Sequence, residues 1–367
     1  MGILPHGRGT ESGRATLDGA RGARRRTFEA VVAGALGVVL ALAGLGLGLF
    51  DTVACKAMDV ACEERGTPPP LPRWRELTPM EAALRGAYVA LGDSYSSGEG
   101  VYDEKDPPVD RGAGLCHRSR GSYVPLVAKA FRFSGGWGFW ACAGATTEQL
   151  LRGQHGHRPQ IDRVPSHASL VTVSVGGNDA GFAEVLKACI VRFPWTSACT
   201  DQEPQVLGRI ERLGASLREV LLSIRARAPQ ARIIVLGYPR LFPERPAGDV
   251  DNLYPGDQRW LNQVARRLND ELAAVVARVD RAITAVGGPG SAEFVDAYDA
   301  FDGHEIGTAQ PYANGLDVDV ERLKVLPRSY HPTEAGYRRF GELVTAQIAR
   351  GPDRPLRNLV QEAPATR

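Results

Sequence analysis

The stretch "AYVALGDSYSSGEG", residues 87–100, carries the clearest indication of the fold. Apolar and small residues run without a charge as far as Gly92, and Asp93 and Ser94 end the run. A short, continuous apolar run of this kind is typical of a β-strand buried on both faces of a sheet. Ser94 therefore follows directly on a buried strand, in a turn where the flanking glycines permit close approach of the backbone.

Similar apolar runs alternate with helical patterns along the rest of the chain. Strands are predicted at residues 87–93, 169–179, 231–239 and 292–298, with a weaker one in "SGGWGFWACAGA". Apolar residues at three- and four-residue spacing predict helices at residues 205–227, 257–279 and 333–349. This alternation predicts an α/β fold with a parallel sheet covered on both faces, in which ligands bind at the carboxyl ends of the strands.

Four residues near these strand and helix ends could build an acyl-transfer site. A serine hydroxyl is a poor nucleophile until a base takes its proton, and the oxyanion that forms needs donors already aimed at it. Ser94 is the candidate nucleophile, and His331, immediately before a helix, is the candidate base. Gly144 in "ACAGATTEQL" can present a bare backbone N–H, and Asn178 in "VGGNDAGF" can offer a side-chain amide. If Ser94 is considered alone, the alternative to a catalytic serine is an ordinary turn at the end of a strand, with no chemical role.

The segments "GDSYSSGEG", "CAGATT", "VGGND" and "HPTEAGY" resemble, in order, the four motif blocks of the SGNH hydrolases, also called GDSL hydrolases. The resemblance covers about residues 88–344 and is closest to the secreted bacterial esterases and lipases of that family. It implies a three-layer α/β/α sandwich with a central parallel sheet, a flavodoxin-like arrangement, over a domain of residues 78–350.

The resemblance also implies a role for each candidate residue. Ser94 would be the nucleophile, and His331 the general base and then the general acid. The backbone N–H groups of Ser94 and Gly144, with the side chain of Asn178, would form the oxyanion hole. Asp93 would brace the turn and take no part in proton transfer.

The chain departs from the family pattern at Arg328. Many members carry an aspartate three residues before the histidine, which orients the imidazole ring. An arginine side chain cannot accept a hydrogen bond from the ring. We therefore expect a Ser94–His331 dyad with the main-chain carbonyl of Arg328 near His331 Nδ1. The alternative is an aspartate from elsewhere, such as Asp317 or Asp319.

The N-terminal part predicts export. Residues 1–28, rich in Gly and Arg, are expected to be a disordered, basic cytoplasmic segment. Residues 29–51 contain "AVVAGALGVVLALAGLGLGLF", an uncharged run of about 20 residues, which is long enough to span a bilayer. The basic cluster "RGARRR" before it would keep the first segment inside. The run is either an uncleaved transmembrane anchor or a cleaved signal peptide. Residues 52–77 are expected to be a proline-rich connector, and residues 351–367 a loose tail.

Cysteine usage agrees with an oxidising compartment. The six cysteines include no C-x-x-C pair, which argues against a zinc ribbon, and sequence alone allows 15 pairings. We favour pairing between neighbours, which gives Cys55–Cys62, Cys116–Cys142 and Cys189–Cys199.

The remaining features limit which partners, cofactors and functions the sequence allows. A net charge of +2 gives no reason to expect nucleic acid. No phosphate-binding or dinucleotide fingerprint occurs, and "HGH" (His155, His157) is too isolated to be a metal site, so we expect no cofactor and no metal. The predicted function is an exported, monomeric serine esterase or lipase acting on a small-molecule or lipid ester. The alternatives are a cell-wall polysaccharide O-acetyl esterase or acyltransferase with the same site, and a non-catalytic binding module.

Overall fold

The computed structural model describes residues 73–106, 109, 114–191, 199–322 and 324–360. The predicted cytoplasmic segment, the hydrophobic run of residues 29–51 and the pair Cys55–Cys62 lie outside these ranges. Within the described ranges, no helix combines the length and the hydrophobicity needed to cross a membrane.

Nine strands and eight α-helices follow one another along the described chain. The strands are β1 Arg73–Leu77, β2 Ala87–Gly92, β3 Trp137–Phe139, β4 Ala168–Ser174, β5 Arg232–Leu236, β6 Ser291–Val295, β7 Val318–Asp319, β8 Lys324–Val325 and β9 Leu356–Val360. The helices are α1 Pro79–Leu84, α2 Ser94–Ser97, α3 Tyr123–Ala130, α4 Thr147–Arg152, α5 Phe182–Ile190, α6 Glu203–Arg227, α7 Pro255–Ala285 and α8 Glu334–Arg350.

Five parallel strands form the central sheet, in the order β3-β2-β4-β5-β6. All residues of β2, β4 and β5 are buried, as expected for strands covered on both faces. The helices pack in two sets: α8 contacts α1 and α3, and α6 contacts α4 and α7. The α/β class and the central parallel sheet predicted from the sequence are confirmed, and so is the weaker strand, which is β3.

The strand order reverses at the boundary between β2 and β4. The chain passes from β2 to one side of the sheet to form β3, and then returns to the other side to form β4. In open α/β sheets, a crevice opens outside the carboxyl ends of the strands at such a reversal. Ser94 follows β2 and Asn178 follows β4, so the two candidates lie on the two sides of this crevice.

Side-chain caps determine where several helices begin. Thr78 caps α1 and Thr146 caps α4, each with the reciprocal bond of a capping box. Thr333 caps α8 directly after the His331 segment. The capped start of α8 therefore fixes the backbone that directly follows His331, the candidate base.

The two ends of the described chain form a separate small sheet that the sequence analysis missed. β1 and β9 pair antiparallel, so the prediction of a connector through residue 77 is wrong for Arg73–Leu77, and that of a loose tail is wrong for Leu356–Val360. β9 is fixed by Asn358, which is buried and bonds to the N–H of Gly290 and the carbonyl of Gln230. Because these two residues precede β6 and β5, β9 lies at the amino ends of the central strands.

Candidate active site

Ser94 is held at the end of β2 by the local geometry of the Asp93 turn. Asp93 is the N-cap of the short helix α2, and its Oδ1 accepts from Tyr95 N at 3.0 Å. Ser94 is the first residue of that helix and is 8% exposed. Its N–H has no acceptor within the described part of the chain. This donor is therefore free for a ligand.

The Asp93 carboxyl connects the ends of three neighbouring strands. Besides Tyr95 N, it accepts from Ser174 Oγ at the end of β4, at 3.2 Å, and from the hydroxyl of Tyr238 after β5. Burial raises the pKa of Asp93 to about 7, although these hydrogen bonds act in the opposite direction. The carboxyl is turned into the protein and bonded there, which agrees with the predicted bracing role.

Gly144 lies in a loop that is fixed from two sides. Its φ of +76° is in the left-handed region, where glycine is favoured. The preceding residue, Ala143, donates to Cys116 O at 3.1 Å and accepts from Gln154 Nε2 at 2.8 Å. The N–H of Gly144 itself finds no acceptor among the residues that the structure covers. The loop therefore presents a second free donor.

The Asn178 segment is bonded directly to the Gly144 loop. Asn178 Nδ2 donates to Ala145 O at 3.0 Å, which leaves the second amide hydrogen available. The next residue, Asp179, accepts from the N–H and the hydroxyl of Thr147 at the start of α4. The two loops thus form one bonded unit at the carboxyl edge of the sheet.

His331 is only partly exposed, and its ring is oriented by a main-chain carbonyl. Nδ1 lies 2.9 Å from Ser329 O, so Nδ1 carries the proton and Nε2 is free to accept one. Burial lowers the pKa of His331 below its ordinary value, since the imidazolium loses hydration there. A neutral ring with a free Nε2 is the state that a general base requires.

The carbonyl that orients the ring belongs to Ser329, so the prediction of Arg328 is wrong. Arg328 O instead accepts the main-chain N–H of His331 at 3.1 Å and closes a tight turn. Tyr330, inside that turn, has a φ of +60°, and the reversal of the chain there brings Ser329 O to the ring.

The aspartate alternatives do not reach the ring either. Asp317 forms an ion pair with the Arg328 side chain, and Asp319 accepts from the N–H groups of Glu321 and Arg322. No carboxylate within the described chain is hydrogen-bonded to His331.

One cavity of about 780 Å³ brings the predicted residues together. Ser94, Gly144, Asn178 and His331 all line it. Most of the other lining side chains are apolar, among them Phe182, Leu186, Ile190, Leu268, Leu316 and Leu326. The volume lies within the range of ordinary ligand sites.

Two of the predicted disulfides support this cavity and are confirmed. Cys116–Cys142 joins the segment before α3 to the Gly144 loop, and Cys189–Cys199 fixes the end of α5, which lines the cavity. The sequence analysis missed Gln154, which bonds to the Gly144 loop, and the buried Glu99, which bonds to His117. Gln154 is the residue directly before "HGH", but no spacing in the sequence connects it with residue 143.

The comparisons with known proteins agree with this geometry. The model of the GDSL-like lipase/acylhydrolase family matches residues 90–339, which include all four candidate residues. The chain belongs to the GDSL-like lipase/acylhydrolase family. As a member of that family it is a carboxylic ester hydrolase.

Similar members of the family come from Streptomyces. A lipase from Streptomyces rimosus is 34% identical over 255 residues, which cover 68% of this chain and 81% of the relative. Lipase 2 from Streptomyces coelicolor is 31% identical over 333 residues, which cover 87% of this chain and 96% of the relative. The solved structure of phospholipase A1 from Streptomyces albidoflavus is 32% identical, covers 71% of this chain and 99% of its own, and has a TM-score of 0.57.

On the acidic side, kcat/KM of this hydrolase should fall with a midpoint below pH 6.5. Burial lowers the pKa of His331 from about that value, and only the neutral imidazole can accept a proton. A lowered pKa keeps the ring neutral to lower pH, so kcat/KM for a soluble ester should fall only as the pH drops through the His331 pKa. The profile of kcat/KM against pH measures this value.

The control for this profile is a direct NMR titration of the His331 imidazole, because Asp93 is the other buried group of the site that ionises near neutrality. The midpoint of the activity limb should coincide with the titration of the imidazole. A limb centred at or above pH 6.5 would contradict the prediction.

Proposed function

We propose that this hydrolase cleaves its ester through an acyl-enzyme on Ser94. Ser94 Oγ attacks the carbonyl carbon while His331 Nε2 takes the hydroxyl proton. The bond to the leaving alcohol then breaks, and His331 returns the proton to that alcohol. In the second half, water attacks the acyl carbon, His331 takes its proton, and Ser94 leaves with that proton as the acid is released.

The oxyanion formed in each half is placed among three donors. These are the N–H of Ser94, the N–H of Gly144 and the second amide hydrogen of Asn178. Donors that are already oriented stabilise developing charge without reorganising, which is often the largest single contribution to catalysis. The observation that carries the proposal is that these groups and His331 line one cavity, with both backbone donors free of acceptors within the described residues.

Ser94→Ala should abolish ester hydrolysis. Loss of a nucleophile that acts together with its base typically lowers kcat by at least about 10³-fold. The measurement is hydrolysis of p-nitrophenyl butyrate, with covalent labelling by a fluorophosphonate probe. The control is Ser134→Ala, an exposed serine away from the cavity, which should be labelled like the wild type.

Two other outcomes would replace this function. A wild-type protein that neither labels nor turns over esters would be a non-catalytic binding module. Faster release of acetate from acetylated polysaccharide than from any acyl ester would indicate the polysaccharide esterase.

Lipid or other long acyl esters are the substrates that fit the cavity best. Beyond Ser94 and His331 the walls are mainly apolar, and they include Leu186, Leu268 and Leu326. Burial of each acyl methylene contributes up to about 0.8 kcal/mol, which corresponds to about a fourfold gain in kcat/KM. The similarity to Streptomyces lipases and to a phospholipase A1 supports the same substrate class.

Ala183→Phe should shorten the preferred acyl chain. Ala183 lies on α5 and lines the cavity, so a phenyl ring there occupies space that a long chain would use. We expect the ratio of kcat/KM for octanoyl to acetyl esters to fall about tenfold, as expected when a few methylenes lose burial. Ala188→Phe, an exposed position of the same helix outside the cavity lining, should leave the ratio unchanged. Equal ratios in both variants would place the acyl chain elsewhere.

Export is the localisation that the observations favour. Two disulfides lie among the described residues, and a similar solved structure is an extracellular lipase from Streptomyces rimosus. Residues 29–51 would then be either the anchor or the cleaved signal. Sequencing the N-terminus of the exported protein distinguishes the two, because a mature chain that begins after residue 51 is incompatible with an anchor.

A further inference from the structure

Glu99 and His117 form a hydrogen-bonded pair in the wall of the cavity, and the proposed reaction does not use this pair. Both oxygens of the Glu99 carboxylate approach His117 Nδ1, at 2.7 and 2.9 Å. Glu99 is 5% exposed, and both residues line the same cavity as Ser94 and His331. A buried carboxylate is costly unless it is paired, and His117 is the partner that the structure provides.

The surroundings hold His117 against Glu99. The ring of Tyr102 stacks on the His117 ring, with 4.6 Å between centroids and 9° between planes. His117 directly follows Cys116, which is fixed by its disulfide to Cys142. The pair is therefore built into the site and is not a chance contact of two surface side chains.

The Glu99 segment packs directly against the candidate base. A Cβ on Gly100 would lie 3.0 Å from His331 Cβ and 2.1 Å from Pro332 O, so only glycine fits at this position. Asn314 Nδ2 donates to Gly100 O at 3.1 Å and to His331 O at 3.0 Å. One side chain thus binds the two segments together.

The hydrogen bond from His331 Nδ1 goes to a neutral carbonyl group and not to a carboxylate. Ser329 O, which accepts from Nδ1, is a carbonyl dipole, whereas a catalytic triad places a carboxylate there. During each proton transfer His331 becomes an imidazolium ion in a site where burial disfavours that charge. A negative group in the surrounding wall would stabilise this ion.

We propose that the Glu99 carboxylate stabilises the positive charge that His331 acquires during catalysis, and that His117 positions this carboxylate and partly neutralises it. The proposal rests on the Ser94–His331 chemistry proposed above. Glu99 acts through space, so it is a positioning and electrostatic residue and not a catalytic one.

The two members of the pair act on His331 in opposite directions. The negative charge of Glu99 raises the pKa of His331, and the positive charge of His117 lowers it. The hydrogen bond to Glu99 raises the pKa of His117 itself, which favours its charged form. Removing one charge at a time should therefore move the titration of His331 in opposite directions.

Several other titratable groups surround the pair and could also affect the His331 titration. Asp317, on the same loop as His331, is paired with Arg328, and Glu104 adds to the negative field at His117. Asp93 ionises near pH 7, in the same range as a histidine, so activity alone would not isolate His331. Burial raises the pKa values of the nearby tyrosines, which therefore remain neutral: Tyr95, Tyr102, Tyr330 and Tyr337.

The test is the NMR titration of the His331 imidazole in the resting enzyme. The chain has seven histidines, and the His331→Gln variant identifies the resonance. Glu99→Gln should lower the His331 pKa by about half a unit or more and reduce kcat about tenfold. His117→Asn should raise the His331 pKa by a similar amount. Asparagine retains a donor near the Nδ1 position and accepts the φ of +48° found there.

Glu184→Gln is the control for removal of a negative charge. Glu184 is 75% exposed, pairs with Arg209 and does not line the cavity, so the His331 titration should not move. A purely structural role for the pair predicts no shift in either variant, or shifts in the same direction, and either result overturns the proposal. If Glu99→Gln does not fold, as judged by near-UV circular dichroism, the direction of the shift in His117→Asn decides.

Fluorophosphonate labelling separates this proposal from the proposed function. Wild-type enzyme that labels at Ser94 but shows no opposed shifts refutes the role of Glu99 alone. Absence of labelling refutes the Ser94 chemistry. It also refutes a catalytic role for the Glu99–His117 pair, even if the His331 pKa shifts in the two variants.

Discussion

The site depends on one buried carboxyl, that of Asp93, at the point where the strand order of the sheet reverses. It bonds to its own turn, to Ser174 at the end of β4 and to Tyr238 after β5. The Tyr238 hydroxyl in turn accepts from Gly177 N at 3.0 Å, next to Asn178. The candidate nucleophile Ser94 and the candidate amide donor Asn178 are thus positioned by the same hydrogen-bond network. Burial of that network makes its geometry stiff, since each buried polar group that lost its partner would be destabilising.

A second constraint is that the candidate base comes from a different part of the chain. His331 lies in a tight turn ahead of α8, and that turn is held by Asn314, by the cap of α8 and by contact with Gly100. The segments that follow the strands carry the candidate nucleophile and oxyanion donors, while a loop carries the candidate base. A rigid sheet and a braced loop together satisfy the need for reacting groups held within a fraction of an ångström.

The parts of the site that follow local rules could be predicted from the sequence. Ser94 and Asn178 follow buried strands, and the apolar runs that form those strands are visible without a structure. The carbonyl that accepts from His331 Nδ1 could not be assigned from the sequence. Whether Ser329 O or Arg328 O reaches the ring depends on how the chain turns, and this turn includes the positive φ of Tyr330. The β1–β9 pair was missed because exposed, charged residues such as those of "RWREL" show no strand periodicity, and their partners lie at the other end of the chain. Glu99 and His117 meet only through loop packing, which leaves no spacing signal.

The small sheet of β1 and β9 determines how this enzyme can be attached to other structures. Both ends of the described chain lie side by side at the amino ends of the central strands, whereas the candidate site lies at the carboxyl ends. A short bridge joining Arg73 to Val360 would therefore lie away from the candidate site. The same adjacency makes the domain suitable for circular permutation and for insertion into a host protein, since neither change would need to separate strands of the catalytic sheet.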